Sequence, residues 1–427
     1  MTNPIVRALS FALLALALPL CAQDSVTTLA GQAVIAGSSN GPAASALFST
    51  PAAIVADSSG SLYVADSQNH MIRKIATDGL VSTFAGQAGA PGGGDGSGTQ
   101  ARFDTPSGIA IDPSGNLFVS DTGNHTIRMI TPAGVVTTLA GMAGQSGFTN
   151  GAGTNARFNS PLGVFVATNG TIHVADCGNH VIRSISPGGT VTTLAGSPET
   201  WGSNDGAGSS ARFNGPVGLA LDNQGNLFVS DSNNHTIRKI TPDGMVATWA
   251  GAPEMDGRGD GERLTARFSK PAELAFDKQG NLFVADSFNH VIRQISSDGR
   301  VVTVTGVVGS AGSAGGSNGQ ARLFNPYGVA IRPDGSLVVA DAYNESIRVV
   351  LVPFKVGVHF SGGSPGAILS WNSVVGKDYQ VQYRGVFALA SWVDLGGPVT
   401  ATNLSTSLTD NIVNPAGQRF YRIIVMP

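Results

Sequence analysis

The octapeptide Asp66-Ser67-Gln68-Asn69-His70-Met71-Ile72-Arg73 recurs along this 427-residue chain. Its later copies begin at Asp121, Asp176, Asp231, Asp286 and Asp341, each 55 residues after the one before. A fixed period of this size predicts a repeat architecture, in which each unit buries its apolar face against its neighbours. We number the six copies, each with its flanking residues, as units one to six.

Unit two illustrates the structure predicted for one repeat. Short runs rich in β-branched and aromatic residues alternate with turns that contain Gly, Pro, Asp or Asn. Such runs predict a four-stranded antiparallel meander. Six meanders arranged radially predict an all-β fold, a six-bladed β-propeller. The predicted strands of this unit are Ser107–Asp112, Asn116–Asp121, His125–Ile130 and Val135–Gly141.

The two ends of the repeat array complement each other. Unit six has no fourth strand after Val350, whereas the amino-terminal phrase Val26–Gly31 stands 55 residues before its counterpart Val81–Gly86. We therefore expect residues 24–31 to form the outer strand of the last blade and to close the ring. This pairing would remove two open strand edges that otherwise invite aggregation.

The chain divides into three predicted segments. Residues 1–22 contain Arg7, an apolar run and a small-residue cleavage pattern, and predict a secretory signal peptide. The propeller is predicted over residues 23–352, and alternating strands over residues 353–427 indicate a small β-sandwich. An alternative, a lipid anchor on Cys21, is disfavoured because Pro19-Leu20 precedes that residue.

Composition excludes one class of partner. The formal net charge is −3, and no basic tract is present. Nucleic-acid binding depends on Lys and Arg side chains that neutralise phosphates, so we expect no nucleic-acid ligand. We expect a secreted, periplasmic or cell-surface protein with no membrane span in the mature chain. If Cys21 leaves with the signal, Cys177 is the only thiol, and we interpret it as an inert packing residue.

The phrase Asp-x-x-Asn-His-x-Ile-Arg, with Gly-Asn-Leu-Phe-Val before it, resembles the NHL repeat family. The resemblance covers roughly residues 24–352 and implies a six-bladed propeller that serves as an interaction platform. Some relatives with this architecture are lactonases and lyases with a metal at the channel mouth. The carboxy-terminal segment looks like the fibronectin-III-like modules of bacterial secreted proteins.

The repeated polar residues could form a catalytic or metal group, but a catalytic centre is normally unique and these residues occur six times. We therefore predict a structural role, in which Asp accepts N–H groups of its own turn and Asn tolerates the turn dihedrals. No metal or cofactor is predicted. The predicted turn residues are Asp66, Asn69, His70, Asp121, Asn124, His125, Asp176, Asn179, His180, Asp231, Asn234, His235, Asp286, Asn289, His290, Asp341 and Asn344.

Long links join each unit to the next, and we expect them on the same face as the repeated turns. Loops on a rigid scaffold commonly carry binding sites, so this long-loop face is the candidate ligand face. Four of these links contain Ala-Arg-Phe near their end, as in Arg102-Phe103, and the Phe is predicted to anchor the loop. Calcium would need more carboxylates than one Asp or Asn per loop.

Residues that differ from their counterparts in the other units are the candidates for ligand binding or catalysis. The residues predicted to line the channel mouth are small or apolar: Ala52, Ser107, Leu162, Val217, Ala272 and Tyr327. Beside them Glu273 replaces the Gly of units two, three, four and six, and it is the single, weak catalytic candidate. His173 replaces an aromatic residue and is expected to pack between blades. The ligand-binding candidates are Tyr327, Tyr343, Glu345, Trp201 and Arg258.

Two functions are consistent with these patterns. The first is a secreted or cell-surface, non-enzymatic scaffold that presents the long-loop face to an extracellular protein, peptide or glycan. The alternative is a metal-dependent extracellular lyase or lactonase with its site at the channel mouth and Glu273 involved.

Overall fold

A computed structural model describes residues 26–317, 319–350, 356–360, 367–372, 378–384, 393–401, 405–410 and 420–425. The predicted signal peptide and Cys21 lie outside these residues, as do Lys355, Trp392 and Arg419 of the carboxy-terminal segment. Asp24–Val352 forms one compact unit, and Pro353–Pro427 belongs to a second. Among the described residues, no helix has the length and apolar character needed to cross a membrane.

Residues 26–317 and 319–350 form six antiparallel sheets, one per unit, which are consistent with propeller blades. The first strands begin at the loop-ending Pro: Pro51–Ala56, Pro106–Ile111, Pro161–Val166, Pro216–Leu221, Pro271–Phe276 and Pro326–Ile331. The second strands end at the repeated Asp: Leu62–Asp66, Leu117–Asp121, Ile172–Asp176, Leu227–Asp231, Leu282–Asp286 and Leu337–Asp341.

The third and fourth strands complete each sheet. The third strands are Met71–Ile75, Thr126–Ile130, Val181–Ile185, Thr236–Ile240, Val291–Ile295 and Ser346–Val350. The fourth strands are Leu80–Gly86, Val135–Ala140, Thr190–Ala195, Met245–Ala250 and Arg300–Thr305, with Val26–Ala30 in the sheet of unit six.

Five of the sheets carry a fifth strand that the sequence did not predict. It has two residues and comes from the long loop, which turns back and pairs with the fourth strand of its own unit. The loop thereby covers a strand edge that would otherwise expose unpaired backbone groups. The fifth strands are Gly41–Pro42, Gly96–Ser97, Gly151–Ala152, Gly206–Ala207 and Gly261–Glu262. Short 3-10 helices follow three of them, at Gly98–Gln100, Gly153–Asn155 and Gly208–Ser210.

The first strands of successive sheets contact one another, and the first strand of unit six contacts that of unit one. The approach is close because most units have Gly at the third position of this strand. A Cβ atom on Gly108 would lie 2.1 Å from the carbonyl oxygen of Leu162 in the next unit. At Gly328 it would lie 2.8 Å from the carbonyl oxygen of Ala52. Gly at this position therefore permits the cycle of contacts.

The predicted pairing of the two ends of the repeat array is confirmed. Val26–Ala30 runs antiparallel to Ser346–Val350, with Val26 opposite Val350 and Thr28 opposite Arg348. Val26 also exchanges two backbone hydrogen bonds with Gly316, of 2.8 and 3.1 Å. Val26 and Ala30 are fully buried, whereas Thr27 is exposed. The strand is therefore an integral part of the last sheet.

Hydrophobic clusters join neighbouring sheets. One cluster combines Ala53 and Ala65 of unit one with Phe103, Ile109 and Val119 of unit two. Other clusters combine units two and three, three and four, and four and five. Each sheet is therefore stabilised by burial of apolar surface against its neighbour.

The carboxy-terminal unit contains two antiparallel sheets. Its hydrophobic cluster takes Leu369 and Trp371 from one sheet and Tyr379 and Val381 from the other. Trp371 and Tyr379 are buried within this cluster. The described strands are Val356–Phe360, Ala367–Asn372, Asp378–Arg384, Val393–Asp394, Val399–Thr400, Ser405–Asp410 and Phe420–Val425.

Deleting residues 24–31 should lower the thermal unfolding temperature sharply or cause oligomerisation, because the third strand of unit six would expose its edge. Scanning calorimetry and size-exclusion chromatography measure both effects. Two single substitutions in this strand form a matched comparison. Val26→Asp should destabilise the protein strongly because it buries a charge, whereas Thr27→Asp, at an exposed position, should have little effect. A monomeric deletion variant with unchanged stability would contradict the closure.

Candidate ligand site at the channel mouth

Each repeated octapeptide forms the same turn. A 3-10 helix of three residues follows the second strand, at Ser67–Asn69, Thr122–Asn124, Cys177–Asn179, Ser232–Asn234, Ser287–Asn289 and Ala342–Asn344. The next residue adopts the left-handed conformation, with φ of 59° at His125 and 55° at Glu345. The expectation that Asn takes the unusual dihedrals was wrong: the histidine position takes them, because Asn is held inside the turn by its side chain.

The Asp side chain bonds differently from the prediction as well. In unit two Asp121 Oδ1 accepts a 2.7 Å hydrogen bond from the backbone N–H of Asp104. Asp104 lies in the preceding long loop and not in the turn itself. Its Oδ2 accepts bonds from Asn124 Nδ2 at 2.8 Å and Arg128 Nη1 at 2.7 Å. Asn124 also donates to the carbonyl oxygen of Gly92 in that loop. The carboxylate therefore fastens the long loop to the sheet.

The Arg that ends each octapeptide is fully buried and completes this network. Arg128 donates to the carbonyl oxygens of Arg102 and Gly94 and to Asp95 Oδ1, at 2.9, 3.1 and 2.7 Å. Its guanidinium lies 5.1 Å from the ring centroid of Phe103. Burial raises the pKa of Asp121 to about 6, and the charge of Arg128 opposes this rise. The pair is therefore ionised at neutral pH.

The histidines connect consecutive units. Nδ1 of His125 accepts a 3.0 Å hydrogen bond from the backbone N–H of Ser160. Ser160 immediately precedes the first strand of unit three. His70, His180, His235 and His290 accept equivalent bonds from the next unit. Burial lowers the pKa of His125, with Asp104 opposing the change, and this keeps the ring neutral and able to accept. The histidines are therefore engaged in hydrogen bonds between consecutive units.

Glu345 takes the place of His in unit six and makes the equivalent bond. Its carboxylate accepts the N–H of Thr50 in unit one, so the last unit is joined to the first. Burial raises the pKa of Glu345, and the Thr50 hydrogen bond opposes the rise. The departure from His that made Glu345 a ligand candidate therefore coincides with the contact between the two ends of the array.

A cavity of about 200 Å³ opens on the face that carries the turns and long loops. It brings together two predicted ligand residues, Tyr327 and Tyr343, and includes Ala52 and Ser107 of the predicted channel lining. The other lining residues are Thr50, Ser67, Ser287, Phe288, Asn325 and Ala342. Leu162, Val217 and Ala272 pack in one apolar cluster with Tyr327, which forms the side of the mouth toward units three to five.

Phe288 and Tyr343 project from equivalent positions of two neighbouring turns. They are 56% and 51% exposed, although both are large aromatic side chains. Their backbone N–H groups donate to Ser269 and Phe324 of the preceding loops, each at 3.1 Å. The Tyr343 ring packs edge-to-face on Phe324, with centroids 5.2 Å apart. The turn backbone at both positions is therefore fixed before any ligand arrives.

Phe288 was missed by the sequence reasoning. The corresponding residues in units one to four are Gln68, Gly123, Gly178 and Asn233. The signal was an aromatic residue at an exposed turn position in two adjacent units. It was overlooked because Phe288, unlike the Glu345 substitution, does not change the Asp-x-x-Asn-His motif.

Glu273 lies on the first strand of unit five, partly exposed but surrounded by protein. Burial raises the pKa of its carboxyl to about 8, although the N–H groups of Leu274 and Leu219 donate to it. Glu273 also contributes, after burial and Cys177, to the raised pKa of Tyr327. Glu273 is therefore mainly protonated at neutral pH and lies near the cavity residue Tyr327.

The remaining candidates lie elsewhere. Trp201 is 63% exposed in the loop before unit four, and Arg258 is exposed in the loop before unit five beside Gly309. Neither lines the cavity. His173 bonds to Ser184 at 3.0 Å and lines a separate cleft of about 290 Å³ between units three and four.

The predicted alternative of a metal-dependent enzyme requires side chains that converge on a metal ion. Within the part of the chain that the structure describes, no three His, Cys, Asp or Glu side chains converge as a metal site would require. Cys177 is half-buried, and burial together with Asp176 and Asp231 raises its pKa to about 11. The thiol is therefore protonated at neutral pH, in agreement with an inert role.

Asp121→Ala should reduce the free energy of unfolding by about 3–5 kcal/mol, because it leaves the buried guanidinium of Arg128 without its carboxylate. Asp95→Ala is the matched control, since it removes a half-exposed partner of the same guanidinium and should lose at most about 1 kcal/mol. Urea denaturation followed by circular dichroism measures both values. Equal losses in the two variants would argue against the buried pair.

Glu273→Gln should remove a pH dependence of stability. The pKa of Glu273 is raised in the folded state to about 8 from its usual 4.5, so folded protein binds the proton more tightly. Stability should therefore fall as pH rises from about 4.5 to about 8, by up to about 1.4 kcal/mol per pH unit. The Gln variant should gain stability over wild type at pH 8 but not at pH 4.5.

The exposed Glu262→Gln is the control for this experiment and should leave the pH profile unchanged. Thermal unfolding temperatures at half-unit pH intervals supply the comparison. Identical profiles for wild type and Glu273→Gln would show that the carboxyl titrates as in water.

Comparison with known proteins identifies the repeat. Residues 103–128 and 213–240 match the NHL repeat family. NHL repeat-containing protein 2 from Bos taurus is 31% identical over 356 residues, which cover 75% of this chain and 49% of that protein. The Homo sapiens protein of the same name is 30% identical over 331 residues, which cover 69% of this chain and 45% of that protein. The chain thus spans about half the length of these relatives.

Two solved structures show the same fold at low sequence identity. A protein of unknown function from Bacteroides thetaiotaomicron has a TM-score of 0.62 and 24% identity, with 77% of this chain and 76% of that chain covered. An auxiliary nutrient binding protein from the same species has a TM-score of 0.60 and 18% identity, with the same shares covered. The chain carries NHL repeats in a propeller-like β fold.

Proposed function

We propose that this chain is a secreted or cell-surface binding protein, built on a six-bladed β-propeller that is closed by its amino-terminal strand. The cavity at the channel mouth holds the ligand, which is an extracellular protein, peptide or glycan. The observation that carries this proposal is the pair of exposed aromatic side chains, Phe288 and Tyr343, on fixed turns beside Tyr327. Exposed aromatic residues that converge on a concavity are typical of binding sites.

The regular part of the repeat supports the same conclusion. The polar residues of the octapeptide are occupied by bonds within and between units, so they are not available for chemistry. The long loops are fastened at several points by the buried Arg and Asn side chains. The result is a rigid platform on which a few substituted positions can recognise a ligand.

Two segments outside the repeats support a secreted or cell-surface setting. The apolar run after Arg7 supports export by a signal peptide, and the carboxy-terminal sheets support a fibronectin-III-like sandwich that acts as spacer or anchor. The auxiliary nutrient binding protein of similar fold agrees with a binding role for this architecture.

The enzymatic alternative, a lyase or lactonase, rests on Glu273. Its raised pKa, about 8, would suit a general acid at neutral pH. However, its carboxyl also accepts hydrogen bonds from two backbone N–H groups, which gives Glu273 a structural role as well. Elemental analysis of the purified protein separates the two functions, since a stoichiometric transition metal would favour the enzyme.

The binding proposal is tested with immobilised protein against a defined peptide library and a glycan array. A ligand of the cavity should bind wild type and should be lost, by at least about tenfold in affinity, in Phe288→Ala/Tyr343→Ala. Asn233→Ala is the matched control, because it changes the same turn position in unit four and should bind like wild type. If no ligand distinguishes the double variant from the control, the cavity is not the binding site.

A further inference from the structure

We propose that the ligand of the cavity is a neutral sugar, bound with the face of one pyranose ring against the aromatic pair Phe288 and Tyr343. This inference rests on the proposed binding function and specifies its ligand class. Three features of the cavity lead to it: the chemistry of the lining, the packing of the Tyr343 ring on its anchored turn and the size of the space.

The lining combines aromatic rings with hydroxyl and amide groups and carries no charge. None of the ten described residues that line the cavity is Asp, Glu, Lys, Arg or His. A phosphate, a carboxylate or a free amino acid would lose its hydration there without an opposite charge in return, which is unfavourable. A neutral polyol loses far less, because each of its hydroxyl groups can be satisfied by another hydroxyl or an amide.

One hydroxyl group of the cavity is already oriented. Ser107 Oγ, on a half-buried side chain, donates to the carbonyl oxygen of Thr105 at 3.0 Å. Its proton is thereby used, so the oxygen is left as an acceptor for a ligand O–H group. A sugar offers such donors around its rim and C–H groups on its faces, which match the serine and the aromatic rings respectively.

The Tyr343 ring needs little ordering on binding. The Tyr343 ring packs on Phe324, which packs in turn on His290 with centroids 5.7 Å apart. The N–H groups at positions 288 and 343 are anchored to neighbouring loops. Rigid aromatic surfaces give contact area at a small entropic loss, which matters for ligands as weakly hydrophobic as sugars.

The size of the cavity favours one ring over a peptide. Its volume of about 200 Å³ is below the roughly 300–1,000 Å³ of pockets for drug-sized ligands. Peptide segments usually occupy an extended groove or pair with an open strand edge. This cavity is a compact mouth between units five, six, one and two. A terminal or single sugar ring fits that shape.

Saturation-transfer NMR on the full chain tests the inference with four probes: methyl β-glucopyranoside, methyl α-mannopyranoside, methyl β-galactopyranoside and the charged counterpart glucuronate. At least one methyl glycoside should receive saturation from wild type, and glucuronate should receive at least about tenfold less. Tyr343→Ala should weaken glycoside binding by about tenfold or more. Tyr343→Phe, which keeps the ring, should retain it, and Asn233→Ala should match wild type.

The outcomes separate this inference from the proposed function. Absence of saturation transfer to all three glycosides, or equal transfer with Tyr343→Ala and wild type, overturns the sugar assignment. If the library experiment nevertheless yields a peptide that depends on Phe288 and Tyr343, the binding function stands and only the ligand class is wrong. If neither experiment yields a ligand that depends on these residues, both proposals fail.

Discussion

The structure depends on a buried ion pair repeated six times, represented by Asp121 and Arg128. Each Arg is fully buried, and its charge is tolerable only because a carboxylate and several carbonyl oxygens surround it. An ion pair in this setting contributes specificity more than net stability. It fixes one loop path per unit, because the guanidinium must reach Gly94, Arg102 and Asp95 together. The loops that form the ligand face are thereby held in position by the core.

This division of roles explains why the chain can be both regular and specific. The octapeptide uses its polar groups internally, so it can be repeated without creating six active sites. Side chains that take no part in these bonds are free to vary, and the second residue of the 3-10 turn is one of them. It is Gly at position 123 but aromatic at 288 and 343. Variation at such positions makes one side of the ring different from the other.

Much of the fold could be predicted from the sequence, because strand period and repeat spacing are local properties. The 55-residue interval was sufficient to pair Val26 with the last sheet. Hydrogen-bond partners were harder to predict: nothing in the order of residues shows that the backbone N–H bonded to Asp121 belongs to Asp104 and not to the turn that follows Asp121. The candidate site was predicted in part. Tyr327 and Tyr343 meet in one cavity, whereas Trp201 and Arg258 do not reach it and Phe288 was overlooked, since convergence depends on which units are adjacent in space.

Glu345, which replaces His in unit six, makes a bond between residues that are much farther apart along the chain than those joined by the histidines. Within the array, each histidine accepts from a residue 35 positions away, as His125 does from Ser160. The bond between Glu345 and Thr50 spans 295 positions. Closing the longer loop costs about 2 kcal/mol more in entropy, a cost that this bond shares with the pairing of Val26–Ala30 and Ser346–Val350. A carboxylate is a stronger acceptor than a neutral imidazole, so the ring has its strongest acceptor of this kind at the junction that the chain closes least easily.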